Sequence, residues 1–128
     1  APGTPIYANA VVVDNIVYVS GMTAQKFEDG SCTTNTMQDQ MWVALSKMKQ
    51  VLEEAGSCLE NVFKTFIMLK DIKDYPVMRA TELKFYQEYA PELAEHPAAS
   101  TILQAGCLAR PEFLVEIECM AVLNRKKD

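Results

Sequence analysis

Residues 62–69 read VFKTFIML, and only Lys64 and Thr65 interrupt the apolar run. A strand that is apolar on both faces belongs in the middle of a sheet, with a helix laid over it. The preceding residues supply such a helix. Met37, Met41, Leu45, Met48 and Leu52 recur at three- and four-residue steps. That spacing puts them on one face of a helix expected over 34–55. Thr34 is placed to cap its start and Gly56 to end it, because a hydroxyl can receive the first free amides and glycine tolerates a left-handed exit.

The remaining segments extend this layer arrangement. Residues 8–13 and 16–22 are β-prone runs separated by Asp14-Asn15, the pattern of a tight hairpin. FEDGS at 27–31 is a turn, and 71–74 reads as a loop. Pro76 suits the first turn of a second helix that runs to about Tyr89. Pro91 and Pro97 frame a loop, residues 99–104 read as a strand, and a turn follows near Ala109-Arg110-Pro111. In the last strand, 114–123, Val115, Ile117, Cys119 and Ala121 alternate as one buried face. The order is β-β-α-β-α-β-β, an α+β fold with a mixed sheet and two helices on one face. The other face of the sheet is left without a cover, which points to self-association. At 128 residues, with no repeat or linker, the chain reads as a single domain over 1–128.

Charge and composition narrow the function. The formal net charge is −5, which disfavours strong non-specific binding to phosphate backbones. The one dense basic group, Arg125-Lys126-Lys127, reads as a solvated tail. Cys32, Cys58, Cys107 and Cys119 form no CxxC pair, and His96 is the only histidine. No metal site is expected from such a set. Free thiols suit a reducing cytoplasm better than a disulfide framework does. No apolar run reaches membrane-spanning length, and the start carries no secretory signal pattern. A chain opening on Ala1 is expected to have lost an initiator methionine.

Three stretches together resemble the Rid (YjgF) family of reactive-intermediate deaminases, which also carries the older description of L-PSP endoribonuclease or translation inhibitor. They are YVSGM at 18–22, VLEEAGSCLENVFKTFIMLKDIKDY at 51–75, and LARPEFLVEIECMAV at 108–122. The G-x-x-x-x-x-V-x-K-x-x-x-x-[LV]-x-D spacing from Gly56 to Asp71 and the VEIE ending make the resemblance specific. It implies a chorismate-mutase-like fold and a homotrimer whose sheets close into a barrel, with pockets between subunits. It further implies hydrolysis of enamines and imines such as 2-aminoacrylate to 2-keto acids and ammonia. No cofactor and no metal take part in that chemistry.

The resemblance also assigns roles. Glu116, the first acid of VEIE, takes the position of the catalytic glutamate that handles the attacking water. Tyr7, Ser20 and Gly21 take pocket positions, and Met22 replaces a usual glutamine. Cys107 falls near the pocket rim. The family arginine that grips the substrate carboxylate in a PAR motif is missing. HPAAS puts Ala99 there, or Ser100 if the following loop is longer by one residue. Arg79 stands where many members have asparagine, so a guanidinium moved to the helix is a candidate anchor for a small anionic ligand. Three functions stay open on this basis: an imine or enamine deaminase, a non-catalytic small-molecule-binding trimer, and an RNA-directed nuclease or translation inhibitor.

Overall fold

The computed structural model describes residues 6–125. Its strands are β1 (Ala10–Val13), β2 (Ile16–Met22), β3 (Val62–Leu69), β4 (Ala99–Gln104) and β5 (Val115–Val122). The helices are α1 (Met37–Glu54), α2 (Tyr75–Tyr89) and the short α3 (Pro91–Glu95). One sheet runs β1-β2-β5-β3-β4. Only β3 and β4 are parallel; the other neighbours are antiparallel. This is the expected α+β order with a mixed sheet.

The run at 62–69 does occupy an interior strand, between β5 and β4. Thr65, Ile67 and Leu69 face the helices and are buried. The α1 stripe of Met41, Leu45, Met48 and Leu52 meets them with no measurable exposure, and each such side chain contributes about 1.5–3 kcal/mol of burial. Trp42 closes the helix layer edge-on against Phe85, at 4.9 Å between ring centres.

Several boundaries differ from the expectations, each for a local reason. Helix α1 starts at Met37 because Thr36, not Thr34, caps it: the Asp39 amide donates to Thr36 Oγ1 at 3.1 Å. The Thr34 hydroxyl is instead buried without a partner. Gly56, at φ +90°, ends the helix as expected. The stretch between Pro91 and Pro97 is not all loop. It holds α3, whose Pro91 sits in the first turn, where no amide is needed. Residues 72–74 form a 3-10 turn capped by Asp71. Strand β1 begins two residues later than expected, and β5 is one residue shorter at each end. Lys126 and Lys127 of the basic tail lie outside the described residues.

The second face of the sheet is open within the chain. Pairing aligns Val11 with Tyr18, Tyr18 with Met120, Met120 with Lys64, and Lys64 with Ala99. Val11, Tyr18 and Ala99 on this row are exposed. No helix of the described residues is long and apolar enough to cross a membrane.

Candidate active site

The pairing of β2 with β5 slips between Val19 and Met22. Such a bulge re-aims side chains, and here it carries Ser20 and Gly21. The Ser20 amide donates to the Asn9 carbonyl at 2.9 Å, and its hydroxyl donates to the Ala8 carbonyl at 2.6 Å. These bonds hold the segment carrying Tyr7 beside β2. They also engage the hydroxyl proton, so Ser20 offers lone pairs to anything bound nearby.

Gly21 is required for space. A β-carbon there would sit 2.0 Å from Glu116 Oε2, inside any permitted contact. Glycine therefore lets the Glu116 carboxylate lie directly against the backbone of β2. The result is an open cavity of about 440 Å³ lined by Tyr7, Ser20, Gly21 and Glu116, with Lys47 from α1 and Phe27 and Phe113 from loops. Four of the residues singled out in the sequence are thus brought together.

The charges in this cavity perturb one another. Burial pushes the Glu116 carboxyl above the ordinary carboxylate range, Glu118 adds to the rise, and Lys47 opposes it. Burial in turn lowers the Lys47 ammonium, against the pull of Glu116. A carboxyl raised in this way holds a proton more readily than an ordinary carboxylate, which suits a group that must take a proton and return it. Cys119 is not a competing nucleophile, because burial holds its thiol at about 12. All four cysteines are free, and no cluster of metal-binding side chains occurs among the described residues.

The other singled-out residues lie elsewhere in the chain. Arg79 lines a second cavity of about 370 Å³ with Glu82, Tyr86 and Ser100. Its Nη1 donates to Glu82 Oε1 at 2.6 Å, Nη2 to Ser100 Oγ at 3.0 Å, and Nε to the Tyr75 hydroxyl at 3.3 Å. Ser100 also receives the Thr65 hydroxyl at 2.9 Å, so it points under the sheet. Ala99 points the other way, onto the open face, beside Lys64, whose ammonium donates to Thr101 Oγ1 at 2.6 Å. Cys107 is exposed in the loop after β4 and lines neither cavity.

Two residues escaped the sequence reading. Lys47 resembles any solvated helix lysine, yet its Nζ donates to the Thr23 carbonyl at 3.0 Å and stands 4.7 Å from the centre of the Phe27 ring. Gln40 is fully buried on α1 and ties two loops to the helix, one of which carries Phe113. A visible signal did exist for Gln40: a polar residue three positions after Met37 and four before Ala44, on the apolar stripe.

A family model described as Endoribonuclease L-PSP matches residues 2–123. The chain belongs to this family, also called Rid or YjgF. It is 35% identical over 115 residues to the 3-aminoacrylate deaminase RutC of Acinetobacter baylyi, covering 90% of this chain and 85% of that protein. It is 30% identical over 119 residues to a 2-iminobutanoate/2-iminopropanoate deaminase of Dermatophagoides farinae, covering 92% and 86%. A crystal structure of a YjgF-family protein from Neisseria meningitidis superposes with a TM-score of 0.79 at 29% identity, covering 96% and 92%. The fold is the chorismate-mutase-like fold of this family, and both relatives are named as deaminases, of imines in one case and of 3-aminoacrylate in the other.

Proposed function

We propose that the cavity around Glu116 hydrolyses small imines and enamines derived from amino acids to carbonyl compounds and ammonia. The observation that carries this reading is a carboxyl pressed against Gly21, half-buried and raised above its ordinary range, in a cavity large enough for such a molecule. Glu116 takes a proton from water as the oxygen adds to the imine carbon. It then returns that proton to nitrogen to give the carbinolamine, and carries the remaining hydroxyl proton to the same nitrogen as the C–N bond breaks, leaving C=O and ammonia. Tyr7 and Ser20 line the wall where the substrate is oriented.

The open, partly apolar sheet face supports a homotrimer with pockets between subunits. Ala99, Arg79 and Cys107 lie on or near β4, the edge strand two places from β5. Two strand spacings put that edge about 10 Å from Glu116. A neighbouring subunit's edge is what would bring these residues to the cavity, as the rest of its wall. The same departure at Ala99 favours a second reading, a pocket that binds small molecules without turning them over.

The test is ammonia release from freshly generated 2-iminobutanoate and 3-aminoacrylate, measured above the buffer rate. Wild type is expected to accelerate at least one of them, and Glu116→Gln to lose about 100- to 10,000-fold of that acceleration. Its acid limb should lie above the ordinary carboxylate range. No acceleration by wild type, with activity gained in Ala99→Arg, would leave the binding reading in place. Arg79→Ala is expected to lower stability by about 1–3 kcal/mol, since it strips the cation from the mostly buried Glu82 while Arg79 itself stays partly screened by solvent. Thermal melting of that variant reads this directly, and an accompanying rise in KM would mark the guanidinium as a ligand contact.

A further inference from the structure

The cavity around Glu116 contains a cation that the chain leaves largely unused. Lys47 projects from the middle of α1 beneath the end of β2. Among the described residues its ammonium has one hydrogen-bond acceptor, the Thr23 carbonyl at 3.0 Å, and no ion pair. An ammonium has three donors, so two remain for a ligand. The ring of Phe27, 4.7 Å from the nitrogen, steadies the head without neutralising it. Lys47 and Glu116 line the same cavity and influence each other's charge, but they do not pair.

Arg79 differs on each of these points. Its guanidinium is paired with Glu82 at 2.6 Å and bonded to Ser100 and the Tyr75 hydroxyl. A cation already matched by a buried carboxylate attracts a second anion weakly. Ala99, where the resemblance expects the anchoring arginine, carries no charge at all. Two lysines line this cavity without an ion pair among the described residues, Lys26 from the loop after β2 and Lys47 from the helix layer; of these, Lys47 has its ammonium positioned, by the Thr23 carbonyl and the Phe27 ring.

We propose that Lys47 binds the carboxylate of the ligand and so restricts the cavity to small anionic imines, enamines and the keto acids they yield. The ammonium holds the carboxylate end, and the reacting carbon is directed towards Glu116. The unpaired spacing of the two charges is what this needs: contact between them would close the gap that the ligand spans. This deepens the deaminase reading and rests on it for the place of the reacting carbon. The binding of a stable keto acid tests it without requiring turnover.

The experiment titrates 2-oxobutanoate, and separately the neutral 2-oxobutanamide, into wild type, Lys47→Met and Lys47→Arg, by calorimetry at low salt. Melting curves confirm that each variant is folded. The expected result is a Kd for 2-oxobutanoate raised about 10- to 100-fold in Lys47→Met and largely kept in Lys47→Arg. The amide should bind wild type and Lys47→Met alike. Equal affinity of wild type and Lys47→Met for the keto acid would overturn the assignment, as would failure of wild type to bind it. Equal losses for acid and amide would overturn it too, because they would trace to a changed cavity shape. Imine turnover that survives in Lys47→Met with an unchanged KM would sink the assignment while the deaminase reading stood. Lys47-dependent binding without any turnover would do the reverse.

Discussion

Replacing Gly21 with alanine is expected to remove turnover at the Glu116 cavity while leaving the fold intact. The backbone at Gly21 is not in the left-handed region, which among the described glycines is taken by Gly30 and Gly56. The glycine is needed for room alone. An added β-carbon would meet Glu116 Oε2 at 2.0 Å, Cδ at 2.7 Å and Cγ at 3.0 Å. The obstacle is the far end of a flexible side chain, so the carboxylate swings away at a cost of about 0.5–1.5 kcal/mol in rotamer strain. The displaced group no longer reaches the water it should handle, and kcat/KM should fall about 100- to 10,000-fold. A linked change in stability follows. Glu116 binds its proton more tightly folded than unfolded, so its ionisation opposes folding as pH rises from the ordinary carboxylate range through its raised value. In Gly21→Ala the carboxylate moves towards solvent, and that pH-dependent loss of stability should shrink. Gly106→Ala is the control, since nothing lies within 4 Å of its added carbon. Full turnover in Gly21→Ala would mean that Glu116 does not act from this position.

Much of the frame was legible because each part carries its own physical signal. The bounds of β2, β3 and β4 follow from β-rich runs closed by charged or turn residues, and Gly56 marks the end of α1 by the conformation only glycine takes easily. The start of α1 was ambiguous, because Thr34 and Thr36 carry the same hydroxyl. Only the backbone decides which one is extended beside a free amide. Helix α3 was hidden by its two flanking prolines, which read as loop markers although Pro91 fits a first helical turn. In the cavity, Ser20, Gly21 and Glu116 were visible through motifs on two strands, but the reason for Gly21 was not. That reason is a contact across 95 residues of sequence, created by a bulge that no local pattern announces. Lys47 was hidden differently. A lysine near the edge of an amphipathic helix is normally a solvated residue whose stem covers apolar surface, and its partners Thr23 and Phe27 are fixed by loop geometry.

A large loss of stability is expected from Gln40→Leu. Gln40 is wholly buried, and its side chain serves three backbone groups. Nε2 donates to the Thr34 carbonyl at 3.0 Å and to the Glu112 carbonyl at 2.8 Å, while Oε1 accepts the Leu114 amide at 2.8 Å. Leucine fits the apolar stripe and matches the volume, so no large cavity forms. It satisfies none of the three groups, and each orphaned buried group costs about 1–3 kcal/mol. Set against the gain from a more apolar side chain, the expected net loss is about 3–5 kcal/mol. Chemical denaturation at one fixed protein concentration measures it, because self-association would otherwise shift the apparent value. Gln40→Glu tests the hydrogen-bond pattern itself. It keeps an acceptor for the Leu114 amide but turns an acceptor towards two carbonyls, and it should be at least as damaging as leucine. A loss below about 1 kcal/mol in both variants would mean that the two loops hold themselves in place. The expected outcome reaches the site as well. The Phe113 side chain lines the cavity and its residue lies between Glu112 and Leu114, so loosening that segment should lower turnover even in the fraction that remains folded. The same buried amide thus joins the stability of the helix layer to the shape of the cavity in front of Glu116.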